Sequence, residues 1–161
     1  MAPPRGTDER KADALALLSA PEADAWVATA SADGQAYLVP LSIGWTGESI
    51  VLVTEARSMT AKNLARALRT RLAVGGTRDV VMIDAELVRD HRVLDAPATL
   101  VETFVTQSGW DPTKDSNAAD YRLFELRPVQ LQAWREGNEI AGRTLMRNGS
   151  WVDQPTDERL R

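Results

Sequence analysis

The sequence contains no cysteine and only one histidine, His91. Without cysteine the chain can form no disulfide, thiolate nucleophile or cysteine metal site. One histidine is too few for the usual metal centres, so we expect no bound metal. A Ser/His/Asp triad through His91 is formally open, but no nucleophile-elbow motif accompanies it. We therefore interpret His91 as a solvated or structural residue.

Long apolar runs and an excess of positive charge are also missing. No stretch is long enough to span a bilayer, and the first residues lack the apolar segment of a secretory signal, so we expect a cytoplasmic protein without a membrane partner. The net charge of -4 and the pI near 5.1 speak against general nucleic-acid binding, which needs a dominant basic surface. Any anion site must therefore be local.

The composition that remains is that of an ordinary globular protein. Of the 161 residues, 43% are hydrophobic and 26% are charged, which predicts one domain over residues 1–161 with a proper core. Residues 1–6 contain two prolines and a glycine, and residues 155–161 are highly charged, so we expect both ends to be flexible.

One stretch, residues 54–71, reverses the sign of the overall charge. It holds a single acid, Glu55, and five cations: Arg57, Lys62, Arg66, Arg69 and Arg71. An apolar run of branched residues at 50–53, closed by Thr54, predicts a buried strand before it. A helix from Met59 to Arg69 follows in the prediction, with Ser58 or Thr60 as the N-cap.

The junction between this strand and this helix has the chemistry of a phosphate site. A helix N-terminus offers free N–H groups and a partial positive charge, and Thr54, Ser58, Thr60 and Arg57 surround it in the sequence. The predicted packing face of the helix is Ala61, Leu64, Ala65 and Leu68. The cations at helical spacing also fit a second interpretation, in which they form only the solvated face of an amphipathic helix.

The chain as a whole alternates short strands with three helices. Helices are predicted at 7–19, 59–69 and 94–108, and strands at 26–30, 35–45, 50–53, 72–74, 80–88 and 121–134, with an Asn-Gly hairpin within 144–152. Pro40 predicts an edge or a bulge in the second strand, since proline cannot donate to a ladder. The fold class is mainly β: a split β-barrel of six to seven antiparallel strands with a few peripheral helices.

This order of elements resembles the flavin-binding split barrel of the pyridoxamine 5'-phosphate oxidase superfamily over about residues 24–152. Four segments carry the resemblance. LVTEARSMTAKNL resembles the turn that holds the flavin phosphate, TRDVVMI the start of the following strand, PVQLQAWRE the late strand that ends in tryptophan, and GRTLMRNGSW the closing arginine and hairpin.

The resemblance implies FMN as cofactor and a homodimer with the cofactor at the interface. It implies phosphate contacts from Thr54, Ser58 and Thr60, with Lys62 and Asn63 close behind. The other implied cofactor contacts are Val53 and Arg57 at the same turn, Tyr37, Leu38, Val39 and Pro40 along the ring, Arg78 and Asp79 near the ring, and Trp134 and Arg143, which reach the partner subunit's cofactor. It assigns no catalytic side chain.

Two departures from the family pattern qualify this assignment. Thr60 stands where many relatives have a basic residue, so Arg57, Lys62 or another arginine must meet the phosphate charge. The basic residue and histidine that hold the substrate phosphate in true pyridoxamine-phosphate oxidases correspond here to residues 139–142, which begin with Glu139. Because a carboxylate repels phosphate, we predict no ordinary pyridoxamine-phosphate oxidase activity.

Three functions are therefore carried forward. The first is an FMN-binding oxidoreductase that acts on a small organic substrate, with the cofactor supplying the chemistry. The second is a reductase on the same fold that uses the deazaflavin F420, whose acidic tail would use Arg66, Arg69 and Arg71. The third is a flavin or haem carrier or sensor without turnover.

Overall fold

The computed structural model describes residues 2–153, and its strands form one antiparallel sheet. The strand order is β3-β2-β1-β4-β5-β6-β7-β8, and β3 also pairs with β6. This pairing closes six strands into a barrel and leaves β7 and β8 beyond β6, which confirms the predicted split barrel. The strands are β1 Asp24–Ala30, β2 Ala36–Trp45, β3 Ile50–Glu55, β4 Arg69–Gly76, β5 Asp79–Arg92, β6 Tyr121–Trp134, β7 Thr144–Arg147 and β8 Ser150–Trp151.

The barrel core follows from the alternation of side chains along each strand. In β1, Ala25, Val27 and Thr29 are buried while Trp26 is exposed, because successive side chains point to opposite faces. The main cluster fills the interior with aliphatic side chains from β1 to β7, whereas a second cluster around Phe104 lies between β3, β6 and the third helix. The barrel is therefore a packed body without a central channel.

Strands β5 and β6 are the longest, at 14 residues each. Their register shifts at Asp84/Ala85, where Ala85 lies opposite Pro128, and again between Leu87 and Arg89. These bulges bend the two strands around the barrel. The prediction that β5 ends at Val88 was wrong, since the strand resumes after the second bulge and runs to Arg92.

Pro40 lies where β2 has a neighbour on one side only. The register with β1 is continuous from Asp24↔Ser42 to Ala30↔Ala36, so there is no bulge, but pairing with β3 covers only residues 43–45. The missing N–H of proline therefore costs no ladder bond. The edge alternative of the prediction is confirmed, and residues 36–42 of β2 present unpaired backbone on that side.

Three α-helices accompany the barrel: α1 Thr7–Ser19, α2 Met59–Ala67 and α3 Ala98–Ser108. α1 matches its predicted range. α3 begins after Pro97 rather than at Leu94, which lies in a 3₁₀ turn at Val93–Asp95. Gly44 lets α3 approach β2, because a Cβ there would meet the Cα of Phe104 at 2.9 Å. Among residues 2–153 no helix has both the length and the apolar character needed to cross a membrane.

The end of α2 corrects the prediction for the basic segment. Leu68 adopts a left-handed conformation (φ 59°) and donates its N–H to the Leu64 carbonyl, which ends the helix. Arg69, which we expected at the end of the helix, is therefore the first residue of β4. The buried face of α2 is Thr60, Ala61, Asn63 and Leu64; Ala65 and Leu68, which we expected to pack, are exposed.

The first residues are fastened to the barrel rather than loose along their whole length. Arg5, inside the segment that we expected to be flexible, is 7% exposed and forms an ion pair with Glu139. Residues 155–161, the other segment expected to be flexible, lie outside the described residues.

Candidate functional site

The corner between β3 and α2 brings the predicted phosphate ligands together. The Thr54 hydroxyl lies 3.4 Å from the Ser58 hydroxyl, and Ser58 Oγ accepts the N–H of Ala61 at 3.1 Å. Ser58 is thus the N-cap of α2, as one of the two predicted alternatives had it. Thr60 is not the cap: it lies inside the first turn and is buried.

This corner is open to an anion. The amides of Met59 and Thr60 belong to the first turn of α2, where no intrahelical acceptor is available, and the helix dipole adds partial positive charge. Arg57 and Lys62 flank the turn with exposed side chains. The corner thus groups two hydroxyls, the first amides of α2 and two exposed cations, which are the donors that a phosphate site uses.

Asn63 fixes the direction of α2. Its side chain is 4% exposed, and Nδ2 donates to Thr29 Oγ1 at 3.0 Å. Arg66 reaches the same end of β1 and donates to the Ala30 carbonyl at 2.7 Å. Asn63 therefore anchors the helix to β1, while its direct contact with a cofactor stays a prediction.

The predicted ring contacts of β2 alternate between the two faces of the sheet. Leu38 and Pro40 lie on the outer face, where they pair in register with Ala28 and Trp26. Tyr37 and Val39 point to the other side, and Val39 packs against the core. Val53 of β3 is 5% exposed and belongs to the second cluster, so only its backbone is available to a ligand.

An apolar patch covers the outer face of β2, β1, β4 and β5. Pro40, Trp26, Ala73 and Met82 follow one another across the four strands in register. Trp26 is 52% exposed, and Leu38 beside it is 58% exposed. A depression of about 340 Å³ in this patch is lined by Trp26, Ala28, Leu38, Arg71, Leu72, Ala73 and Met82. We call these residues together with Pro40 the outer patch.

Trp26 was missed as a site residue in the sequence. The signal was available, because a tryptophan at an outward position of a strand whose inward positions are Ala25 and Val27 exposes a large apolar side chain. Arg71 at the margin of the outer patch forms a bidentate pair with Asp84, with distances of 2.6 and 2.9 Å. This partner raises the pKa of Arg71 and neutralises its charge.

The other predicted contacts form a second group at the far end of β4 and β5. Trp134 pairs in register with Val80, and the Arg143 guanidinium lies 6.0 Å from the Trp134 ring. Arg78 donates to Glu136 at 3.0 Å, and Asp79 accepts from Arg135 at 3.0 Å.

This second group is separate from the β3–α2 corner within one chain. Gly76, the partner of Asp79, lies five residues along β4 from Arg71, the partner of Ala28. At about 3.3 Å per residue this is about 16 Å. At this far end Trp134 and Arg143 contact each other, while Arg78 and Asp79 pair with Glu136 and Arg135.

Arg66, Arg69 and Arg71, which we expected to bind the acidic tail of F420, line one cleft. Arg66 lies on α2, and the other two lie on β4. The cleft has a volume of about 1040 Å³ and lies beside the end of β1 and the start of β4. Arg66, Arg69 and Arg71 contribute cations, and Asp84 and Glu86 contribute carboxylates. The excess of one positive charge leaves a weakly cationic surface.

Glu139 does not face an open site. Its side chain is 4% exposed and accepts Arg5 Nη2 at 2.7 Å, Arg5 Nε at 3.0 Å and the Arg135 amide at 2.8 Å. The hydrogen bond from Arg5, opposed by burial, lowers the pKa of Glu139 to about 2. The argument that this carboxylate repels a substrate phosphate is therefore wrong, because Arg5 compensates its charge inside the protein.

The architecture is a split β-barrel, and solved structures of other proteins show the same fold. An F420 reductase matches with a TM-score of 0.60 at 14% identity over 72% of this chain and 93% of its own. A putative pyridoxamine 5'-phosphate oxidase from Listeria innocua matches with a TM-score of 0.60 at 10% identity over 78% and 98%.

A haem-binding protein from Mycobacterium smegmatis also has this fold, with a TM-score of 0.60 at 15% identity over 92% of this chain and 60% of its own. No family model matches the sequence, and no curated protein matches it. The expected fold is thus confirmed, whereas at these identities the ligand must be argued from the residues.

Proposed function

We propose that the chain is an FMN-binding oxidoreductase that acts on a small organic substrate as a homodimer. The observation that carries the proposal is the β3–α2 corner, where the Thr54 and Ser58 hydroxyls lie 3.4 Å apart at the start of α2. Hydroxyls and free helix amides are the donors that a phosphate monoester requires. FMN ends in such a group.

The surroundings of the corner suit the remainder of FMN. Residues 36–42 of β2 have unpaired backbone on one side, and such an edge can donate to and accept from a polar heterocycle. The outer patch beside it offers apolar contact to an aromatic ring. The fit therefore includes a phosphate end, a hydrogen-bonding edge and an apolar surface.

FMN, when bound, would supply hydride or electron transfer. The chain's own residues would hold the phosphate, orient the ring and exclude water from it. Thr54, Ser58 and the first amides of α2 bind, Arg57 and Lys62 balance charge, and Asn63 keeps α2 in position. No side chain need act as a nucleophile, which agrees with a chain that has no cysteine.

The homodimer part of the proposal is supported by the outer patch. Trp26 and Leu38 are both more than half exposed on one sheet face, and a contiguous apolar surface of this kind is typical of an interface. In the dimer that we propose, the second copy on this face supplies its Trp134 and Arg143 to the first copy's cofactor, as the family resemblance implies. That arrangement gives a role to the second group of predicted contacts, which lies away from the β3–α2 corner within a single chain.

Absorption spectroscopy of the purified protein during titration with FMN tests the proposal. We expect the flavin spectrum to shift on binding and to stay with the protein through gel filtration. Retention of neither added nor endogenous flavin would overturn it. Turnover with NADH or NADPH and a panel of acceptors, compared with free FMN, separates an enzyme from a carrier, and haemin added in parallel tests the haem alternative.

F420 is the second candidate cofactor, and one observation favours it. Arg66, Arg69 and Arg71 line the same cleft beside α2, where an acidic tail would find cations. Arg71 is already paired with Asp84, so Arg66 and Arg69 would carry this contact. Titration with F420 decides between the two cofactors. If the protein retains F420 but not FMN, and Arg69→Ala no longer retains F420, then F420 replaces FMN as the proposed cofactor.

A further inference from the structure

The chain contains a buried ionic cluster that joins its first residues to the connection between β6 and β7. The Arg5 side chain is 5% exposed and lies 2.7 Å from Asp13, 2.7 Å from Glu139 and 3.5 Å from Asp79. The Arg5 amide also donates to Glu139 Oε1 at 3.0 Å. Arg5 and Glu139 are the buried pair of this cluster, and Asp13 and Asp79 are partly exposed at its margin. Burial of two opposite charges requires close pairing.

Arg10 of α1 fastens the same connection a second time. Its side chain is also buried, and Nη1 donates to the carbonyls of Glu139 and Ala141 at 3.0 and 3.3 Å. Nε donates to the Arg5 carbonyl at 2.9 Å. Two arginines separated by five positions thus hold both the side chain and the backbone of residues 139–141.

The connection itself has few strong bonds of its own. Residues 135–143 contain one 3₁₀ turn, Gly137–Glu139. One internal backbone bond is short, Glu139 N to Glu136 O at 2.9 Å, and two are long, Ile140 N to Gly137 O and Arg143 N to Ile140 O, both 3.4 Å. Its conformation therefore depends strongly on the buried arginines. Trp134 immediately precedes this connection and is paired with Val80, whereas Arg143 ends it and its carbonyl accepts the Ala133 amide at 2.9 Å. The path of the chain between these two residues therefore depends on the cluster.

We propose that Arg5 is a positioning residue: the N-terminal segment clamps residues 135–143 and thereby holds Trp134 and Arg143 in place for the cofactor bound across the dimer. The second half of this inference rests on the proposed function, whereas the clamp itself does not. The segment before α1 thus has a role at a site formed by residues more than 120 positions later in the chain.

Limited trypsin digestion of the full chain tests the clamp without any cofactor. We expect Arg5→Met to accelerate cleavage after Arg135 and Arg143 by at least about tenfold, because proteolysis follows the population of the open segment. Arg5→Lys, which keeps the charge but not the fork of donors, should give an intermediate rate. It also serves as the readable variant if Arg5→Met fails to fold.

Arg122→Met is the matched control. Arg122 forms a pair with Asp90 of similar geometry, with distances of 2.8 and 2.7 Å, but between β5 and β6 away from the connection. Equal acceleration of the same cuts in Arg122→Met would show only global destabilisation and overturn the clamp. Cleavage at the wild-type rate in both Arg5 variants would overturn it as well.

FMN titration tests the positioning. We expect Arg5→Lys to weaken FMN affinity several-fold and Arg89→Met, which removes only the pair of an exposed arginine with Glu125, to leave it unchanged. A segment that opens in Arg5→Lys while FMN affinity stays at the wild-type value would overturn the positioning role. If wild-type protein binds no FMN, the proposed function and this positioning role fall together, while the digestion still decides the clamp.

Discussion

Ser58 caps α2 and is a proposed phosphate ligand, and a single substitution can separate these two roles. Its side chain caps α2 by accepting the Ala61 amide, and the same hydroxyl lies where a phosphate would bind. An aspartate is also a good N-cap and is favoured by the helix dipole. It would, however, place a negative charge in the anion position.

We therefore predict that Ser58→Asp keeps the free energy of unfolding within about 0.5 kcal/mol of wild type and lowers FMN affinity at least about 100-fold, through the lost donor and charge repulsion. Urea denaturation and flavin titration measure the two effects. Ser58→Ala is the control: it loses about 1 kcal/mol of capping but adds no charge. Wild-type affinity in Ser58→Asp would place the phosphate elsewhere.

Glu139 links stability to pH. Its pKa in the folded protein, about 2, is below its ordinary value because Arg5 donates to the carboxylate. The group therefore contributes stability that is fully present above about pH 5 and is lost as pH falls toward its folded pKa.

Glu139→Gln removes this contribution and leaves Arg5 buried without a counter-charge. We predict a loss of about 3–5 kcal/mol at pH 7 and a flatter dependence of the free energy of unfolding on pH below about pH 5. Urea denaturation between pH 7 and pH 3 measures both. Glu136→Gln, which affects only the exposed pair with Arg78, should change little, and an unaltered slope in Glu139→Gln would contradict the assignment.

At the scale of elements, α2 ends on a residue that is poorly suited to its conformation. Leu68 has a left-handed backbone, which costs a non-glycine residue about 1–2 kcal/mol, and its side chain is 55% exposed. Its exposure means that little packing is lost when the side chain is removed.

Leu68→Gly should therefore raise the free energy of unfolding by about 1 kcal/mol, as measured by urea denaturation. Ala67→Gly one position earlier, inside the helix, should lower it by about the same amount. A loss of stability in Leu68→Gly would indicate that the exposed side chain contacts a second copy.

The elements themselves could be predicted wherever local patterning decides them. α1 and β6 have their predicted ends, because Pro21 follows the first and polar loops flank the second. The end of α2 could not be predicted, because no residue near Leu68 indicates a left-handed backbone at a leucine. The chain leaves the helix where β4 begins to pair with β1 and β5. The Arg5–Glu139 pair was missed for a similar reason, because its partners are 134 positions apart.

On the scale of the whole molecule, the proposed dimer uses the outer patch as its docking face. Leu38→Glu puts a carboxylate on this face, and we predict that it converts a dimer to a monomer, as measured by light scattering on a size-exclusion column. Leu94→Glu, at a similarly exposed leucine (53%) in the 3₁₀ turn before α3, should leave the mass unchanged. A wild-type monomer would overturn the dimer proposal.

The closure of the barrel implies an order of folding events. β3 and β6 meet through Ile50↔Leu126 to Glu55↔Tyr121, so the last seam joins segments that are far apart in sequence, whereas β1–β2 and β4–β5 are local pairs. Loop closure over such a distance is entropically costly and slows folding. α2 lies between β3 and β4 and is closed by local hydrogen bonds, so we expect the β3–α2 corner to form before the β3–β6 pairing is complete.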